Sequence, residues 1–168
     1  ALHGSIPAEI ARALVAGALV VAAIGLADDI LGLPASARLV AHFGAAGIAV
    51  SAIGVPESIQ VGGWEWKWGL AGVALSVIGL VWLINLNNFM DGIDGLCGGH
   101  MTAVSLVLAG LIAYREPSRP MPGHFLITAA ACAGFLAWNW PPARIFLGDS
   151  GSGSLGFVYG ALVLAAVK

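Results

Sequence analysis

Residues 69–94 read GLAGVALSVIGLVWLINLNNFMDGID, a long apolar run that ends in a dense polar cluster. No charged residue occurs between positions 69 and 90, and a helix needs about 17–25 residues to cross the hydrocarbon core of a bilayer. The run is apolar on nearly every face, which is typical of contact with lipid. It predicts a membrane-spanning helix that delivers asparagine and aspartate side chains to one membrane surface.

The same pattern recurs along the whole chain, which has 168 residues, 59% of them hydrophobic and only 10% charged. Soluble domains carry about 25% charged residues, so the composition excludes a water-soluble globule. A net charge of −2 provides no basic surface and argues against nucleic-acid binding. We predict an all-α, polytopic transmembrane helix bundle of about six spans, forming one transmembrane domain over 1–168. The expected helices are roughly 8–27, 37–55, 69–87, 97–114, 123–139 and 153–167.

The segment between the second and third expected helices has a different pattern. Residues 56–68 read PESIQVGGWEWKW, two alternating runs on either side of a Gly-Gly dipeptide. This pattern is a hairpin signal, and the three tryptophans in the segment suit a membrane interface. We predict a small interfacial β-hairpin that serves as an anchor.

Successive spans alternate in direction, so the polar segments near positions 28, 90 and 149 are expected to share one membrane face. All five aspartates lie on that face, at 28, 29, 91, 94 and 149, and all four glutamates lie on the other. The opposite face also holds more basic residues: Arg12, Lys67, Arg115, Arg119 and Lys168, against Arg38 and Arg144. The positive-inside rule, taken alone, therefore places the aspartate face outside.

The first polar cluster, DDILGLPASAR over 28–38, places two adjacent carboxylates at the end of a span and Arg38 shortly after them. Ionisable groups at this depth are costly and usually functional, although a solvated helix end explains them as well. Pro34 is expected to break any helix that continues from the pair.

The second cluster, NLNNFMDGIDGLCGG over 85–99, is rich in oxygen ligands. Asn85 and Asn88 lie three residues apart, as do Asp91 and Asp94, so each pair would share a face of a helix. Such ligands suit Mg²⁺, which is usually shared with substrate phosphates. The glycines at 92, 95, 98 and 99 would allow a ligand to approach the backbone closely. A helix-capping turn is the alternative interpretation.

The third cluster, NWPPARIFLGDSGSGSLG over 139–156, surrounds Asp149 with glycine and serine. A loop of this composition that opens a helix can cradle phosphate through backbone N–H groups and the helix dipole. A plain helix N-cap explains the pattern equally well.

Taken together, DDILGLPASAR, NLNNFMDGIDGL and PPARIFLGDSGS resemble the polyprenyl-phosphate N-acetylhexosamine-1-phosphate transferases (glycosyltransferase family 4), with the blocks in the family's order over 25–156. The resemblance implies transfer of a UDP-activated N-acetylhexosamine-1-phosphate to undecaprenyl or another polyprenyl phosphate, with release of UMP, at the start of cell-wall or O-antigen glycolipid synthesis. It implies Mg²⁺ as cofactor, with Mn²⁺ as a substitute, and a multi-pass protein of the bacterial inner (plasma) membrane with a cytoplasmic active face. A homodimer is compatible with it.

The resemblance also implies three groups of site residues. Two carboxylates and a basic residue would act on the lipid phosphate: Asp28, Asp29 and Arg38. Two ligands would hold the metal on the pyrophosphate: Asn88 and Asp149. Five residues would serve the donor, by stacking on uracil (Phe146), contacting the uridine (Gly92 and Asp94) or shaping the loop (Asn85 and Asp91).

Members of this family usually have more spans, and a later loop rich in histidine and arginine, so we expect the chain to be the central part of a larger transferase domain. An inactive fragment of such an enzyme is one alternative. A membrane ion-binding or transport protein is another, although it would place acids within spans and on both sides. A CDP-alcohol phosphotransferase would need Ala-Arg where the chain has Gly98-Gly99. An intramembrane aspartyl protease would need a second aspartate inside a span.

Overall fold

The computed structural model describes residues 7–118 and 120–168, which form six helices and one two-stranded sheet. The elements in chain order are α1 (Ala8–Leu31), α2 (Ala35–Ile53), β1 (Ser58–Val61), β2 (Trp64–Lys67), α3 (Gly69–Asp91), α4 (Leu96–Arg115), α5 (Met121–Asn139) and α6 (Gly148–Val167). Each helix is long and apolar enough to cross a membrane. The predicted fold class, an all-α transmembrane bundle with a β-hairpin, is confirmed. Arg119, counted above on the opposite face, lies outside the described residues.

Helix α6 forms the centre of the bundle and packs between α1 and α3. Half of the residues in the apolar 18-residue stretch of α6 are buried, against 22–33% in the corresponding stretches of the other helices. Small residues allow this approach: a Cβ on Gly156 would lie 2.7 Å from the carbonyl oxygen of Leu83, and one on Gly160 would lie 2.8 Å from the side chain of Leu80. Close contact of this kind is the usual way in which membrane helices associate.

Helices α4 and α5 pack mainly on each other and join the rest of the bundle through a second apolar cluster. Phe125 of α5 meets Tyr159 of α6 edge to face, with ring centroids 6.0 Å apart. A Cβ on Gly98 would lie 3.1 Å from Phe135, and one on Gly95 would lie 3.4 Å from Pro141. The expectation that these two glycines open the backbone to a ligand is therefore wrong, because they face α5 and the loop after it.

The predicted β-hairpin is confirmed. Strands β1 and β2 pair antiparallel, with Ser58 opposite Lys67. Gly62 and Gly63 form the turn with φ of 59° and 86°, values that favour glycine. The anchoring role of the hairpin stays a prediction.

Three helices extend further at the aspartate end than the sequence analysis predicts. Helix α1 continues through both aspartates to Leu31. The next residue, Gly32, is its C-cap and has a left-handed φ of 66°. Helix α3 includes everything to Asp91, and α6 begins at Gly148, so the glycine- and serine-rich run is helical rather than a loop. Asp94 lies beyond α3, so the predicted helical face shared by Asp91 and Asp94 is wrong. Charges mark the membrane surface and not the last helical turn, so the expected ends of α1 and α3 come too early in the sequence and the expected start of α6 comes too late.

Candidate active site

Four side chains from four helices meet at the aspartate end: Asp28 of α1, Arg38 of α2, Asn88 of α3 and Asp149 of α6. We call them the polar cluster. Nη1 of Arg38 donates to Oδ2 of Asp28 at 2.6 Å and to Oδ2 of Asp149 at 2.9 Å. Nδ2 of Asn88 donates to Oδ1 of Asp149 at 2.6 Å. The expectation that the three polar segments share one face is confirmed by these contacts.

The polar cluster is partly open to solvent and carries excess negative charge. The side chains of Arg38, Asp28 and Asp149 are 33%, 11% and 29% exposed, so one guanidinium faces two carboxylates at the surface of the bundle. A small cavity of about 10 Å³ lies against the cluster and is bordered on its inner side by His42. This volume is close to what one water molecule occupies. The free space beside the polar cluster is therefore about the size of one small ligand atom or water molecule.

The donor set of the cluster fits a hard divalent cation. Two carboxylates and an amide converge there, and the oxygen of Asn88 can take the place of its nitrogen by a flip of the amide group. Mg²⁺ commonly takes one or two protein carboxylates and completes its shell with water and substrate phosphates. Within 7–118 and 120–168, no group of three or more His, Cys, Asp or Glu side chains suited to a metal occurs. A cation here would therefore be shared with a substrate rather than held by the described residues alone.

Two further aspartates bind the backbone at the start of α6, and we call them the carboxylate clamp. Asp29 accepts the amides of Asp149 at 3.0 Å and of Ser150 at 3.3 Å. Oδ2 of Asp91 accepts the amides of the two residues before Asp149, at 3.0 and 2.9 Å. The first amides of a helix lack intrahelical partners and form the positive end of its dipole. The prediction that these amides cradle a phosphate is wrong, because protein carboxylates already accept from them. The plain N-cap is wrong as well, because Leu147 occupies the N-cap position without a side-chain capping bond, and the accepting carboxylates come from α1 and α3.

The loop between α5 and α6 is fastened to the turn between α3 and α4. Asp94 accepts the amide of Ala143 at 2.9 Å. Asn139, which is fully buried, accepts the amide of Gly95 and donates to the carbonyl of Ile145, both at 2.9 Å. The turn within the second motif and the loop within the third motif therefore form one connected surface.

The remaining predicted site residues do not touch the polar cluster in the described contacts. Phe146 is 54% exposed on the α5–α6 loop, and Gly92 follows the last residue of α3. Nδ2 of Asn85 donates to a carbonyl one turn earlier and lies 3.4 Å from Nδ1 of His42. The structure thus brings four of the ten predicted residues into the polar cluster and places Asp29 and Asp91 behind Asp149. The other four lie outside the polar cluster: Asn85, Gly92, Asp94 and Phe146.

Sequence reasoning missed three residues that shape the site. A Cβ on Gly25 would lie 2.6 Å from the carbonyl group of Asp149, so a glycine is needed where α1 meets α6. Ser152 accepts from Asn88 at 3.3 Å, and Asn139 holds the loop as described. Ser152 stands three residues after Asp149, and this helical spacing could have identified it. Nothing in the sequence distinguishes Gly25 from the other glycines of the spans.

Comparison with known proteins gives a consistent result. The family described as glycosyl transferase family 4 matches residues 11–167. The decaprenyl-phosphate N-acetylglucosaminephosphotransferase of Mycolicibacterium smegmatis is 35% identical over 160 residues, which cover 88% of this chain and 39% of the relative. The phospho-N-acetylmuramoyl-pentapeptide-transferase of Moorella thermoacetica is 36% identical over 106 residues, which cover 63% of this chain and 33% of the relative.

A third relative, named a probable undecaprenyl-phosphate N-acetylglucosaminyl 1-phosphate transferase, comes from Bacillus subtilis. It is 28% identical over 158 residues, which cover 90% of this chain and 43% of the relative. The chain therefore spans less than half the length of each of these three relatives.

Proposed function

Since the chain belongs to glycosyl transferase family 4, we propose that it forms the phosphoryl-transfer site of a membrane enzyme that passes an N-acetylhexosamine-1-phosphate from a UDP-sugar to undecaprenyl or another polyprenyl phosphate. UMP is released, and the product is a polyprenyl-diphosphate sugar that starts the synthesis of a cell-wall or O-antigen glycolipid. The observation that carries this proposal is the polar cluster, in which four helices each supply one side chain at the same end of the bundle.

The chemistry needs little covalent help from the protein. An oxygen of the lipid phosphate attacks the β-phosphorus of the donor, the bond from that phosphorus to UMP breaks, and UMP carries away the electron pair. Such transfers are accelerated by in-line positioning and by neutralisation of charge on the transferring group. A site that presents one guanidinium and clustered oxygen ligands meets both needs.

Arg38 is suited to bind phosphate in this site. A guanidinium carries five N–H donors, and the two contacts with Asp28 and Asp149 both use Nη1. In the part of the chain that the structure describes, no hydrogen bond is found for Nε or Nη2 of Arg38, so these nitrogens can donate to phosphate oxygens. Asp28, which also accepts the amide of Leu33 at 2.6 Å, would orient this guanidinium and the lipid phosphate beside it.

Asn88 and Asp149 would hold a divalent cation on the pyrophosphate. Mg²⁺, or Mn²⁺ in its place, would neutralise the negative charge that the donor and the lipid phosphate bring together. Asp149 is oriented by Arg38 at one carboxylate oxygen. Its other oxygen accepts from Nδ2 of Asn88 and would face the cation once the amide of Asn88 flips.

The donor nucleotide would lie along the surface formed by the α3–α4 turn and the α5–α6 loop. Phe146 presents an exposed ring there, which suits stacking on uracil, because aromatic rings bind bases through their faces. Asp94 and Gly92 stand at the same rim and would contact the uridine, while Asn85 and Asp91 would shape the surface behind them.

The position of the cluster explains how two unlike substrates meet. A site at the end of a transmembrane bundle lets an isoprenoid tail stay in the bilayer while a water-soluble nucleotide sugar arrives from the aqueous side. We assign the aspartate end to the cytoplasmic face of the bacterial inner membrane, because nucleotide sugars are made in the cytoplasm. The count of lysine and arginine favours the reverse, so orientation needs its own test.

The proposal is tested by measuring UMP release from a panel of UDP-N-acetylhexosamines by the full-length protein with undecaprenyl phosphate, with and without Mg²⁺. Release that requires both lipid and metal supports the proposal, and release independent of the lipid contradicts it. Asp149→Asn should abolish the release, whereas Glu9→Gln makes the same chemical change at an exposed residue of α1 on the opposite face and should leave it unchanged. Metal-dependent release that survives in Asp149→Asn would show that Asp149 does not hold the cation.

A further inference from the structure

We propose that Asp29 and Asp91 are positioning residues, which fix the first turn of α6 and thereby Asp149, and that neither acts on a substrate. This inference rests on the proposed function in one respect, since it concerns how Asp149 is held for that reaction. It separates two adjacent carboxylates, Asp28 and Asp29, that the sequence alone treats as a pair.

The contacts of Asp29 are all directed at α6. Its two carboxylate oxygens accept from consecutive amides, those of Asp149 and Ser150. Asp28 instead accepts from Arg38 and from the amide of Leu33. The difference follows from local structure: α1 stays helical through both residues, and neighbouring residues on a helix point about 100° apart. One carboxylate is therefore turned to the polar cluster and the other to the backbone of α6.

Asp91 is too deeply placed to meet a substrate. Asp91 is only 6% exposed, and its Oδ2 accepts hydrogen bonds from the amides of Leu147 and Gly148. Its other oxygen, Oδ1, is buried and has no hydrogen-bond partner among the described residues. A soluble nucleotide or a lipid phosphate would have to displace the start of α6 to reach it.

The clamp acts at a close contact between α1 and α6. Gly148 has a left-handed φ of 66°, and a Cβ there would lie 3.0 Å from Oδ2 of Asp29. Together the clamp binds four successive amides from Leu147 to Ser150. Because the amide of Asp149 is one of them, loss of the clamp would let Asp149 move relative to Arg38 and Asn88.

A cap and a catalytic carboxylate can be distinguished by the amide variant. Binding an amide needs only an acceptor oxygen, so asparagine can replace aspartate where one oxygen accepts both amides, as Oδ2 of Asp91 does. A group that deprotonates or organises a phosphate needs the negative charge. We therefore expect Asp91→Asn to keep UMP release within about threefold of the wild type, and Asp91→Ala and Asp29→Ala each to lower it by about tenfold or more. Asp29 uses both of its oxygens, so Asp29→Asn keeps one of two hydrogen bonds and should fall between the wild type and Asp29→Ala. Asp28→Asn, the same change at a carboxylate of the polar cluster, should lose activity as severely as Asp29→Ala.

Amide hydrogen exchange in lipid nanodiscs supplies a readout that needs no turnover. Asp29→Ala should speed exchange at the amides of 149 and 150, and Asp91→Ala at those of 147 and 148. Asp91→Asn and Asp28→Asn should leave these amides protected.

The inference would be overturned by either of two results. In the first, Asp91→Asn is as inactive as Asp91→Ala while its amides stay protected, so that Asp91 acts through its charge. In the second, Asp29→Ala leaves exchange unchanged. A wild-type protein that released no UMP would contradict the proposed function, while the exchange pattern would still decide whether the clamp holds α6.

Discussion

Replacing Gly25 by alanine tests whether the spacing between α1 and α6 controls the chemistry. The new Cβ would lie 2.6 Å from the carbonyl carbon and oxygen of Asp149 and 2.6 Å from Cα of Ser150. These are backbone atoms, so no side-chain rotation can relieve the contact. Carbon atoms in contact sit about 3.5–4.0 Å apart, and the two helices must therefore separate by about 1 Å at this point.

A separation of that size exceeds what the polar cluster can absorb. Asp149 is held by Asn88 at 2.6 Å and by Arg38 at 2.9 Å, and hydrogen bonds weaken beyond about 3.2 Å. A misplacement of about 1 Å in a catalytic group can cost about 10²-fold in rate. Overpacking alone should lower the free energy of unfolding by about 1–3 kcal/mol. We expect Gly25→Ala to reduce UMP release by about 10²-fold in protein that remains folded.

The assay compares UMP release and thermal unfolding of Gly25→Ala with those of Gly47→Ala. Gly47 lies in α2 with no atom within 4 Å of a Cβ built on it, so alanine there should be neutral or slightly stabilising through helix propensity. A Gly25→Ala protein that unfolds at the temperature of Gly47→Ala and keeps its activity within twofold would refute the argument that helix spacing positions Asp149.

Three further predictions follow from the rim and the loops. Phe146→Ala should weaken the binding of UDP-sugar and of UMP by the same factor, measured by calorimetry, and unchanged affinities would rule out stacking on uracil. Ser36→Cys should react with a membrane-impermeant thiol reagent only from the cytoplasmic side, and Ser118→Cys only from the other side. The background should be low, because Cys97 and Cys132 are both buried. The reverse pattern would place the aspartate face outside. Asn139→Ala removes the two hydrogen bonds that this buried side chain makes to the backbone of Gly95 and Ile145 and should lower the free energy of unfolding by about 1–3 kcal/mol. The exposed Ser51→Ala should change it by less than about 0.5 kcal/mol.

The spans could be predicted from the sequence because their signal is local. A run such as 69–90 is uncharged over the thickness of a bilayer, and the Gly-Gly turn between alternating residues identifies the hairpin in the same way. The helix ends could not be predicted as well. Asn88, Asp91 and Ser150 have weak helix propensity, and each of them makes a hydrogen bond to a different helix or loop.

The composition of the site was also partly predictable. Counting the spans is enough to bring the aspartates to one end, and the three motifs indicate which segments meet there. Which aspartates join the polar cluster and which bind the backbone of α6 was not predictable, because this depends on side-chain direction. Asp29 and Asp91 bind the backbone at the start of α6, whereas the side chain of Asp149 faces the polar cluster. No pattern in the linear sequence records this difference.

Helix α6 is attached to its neighbours at two widely separated points. The clamp holds its first turn, and the ammonium group of Lys168 donates to the carbonyl oxygen of Ile53 at the end of α2. Helix α6 therefore cannot slide along its axis or turn about it without breaking one of these attachments. The α4–α5 hairpin packs mainly on itself. Any motion that admits or releases substrates should therefore be sought in this hairpin, while Asp149 on α6 stays in place.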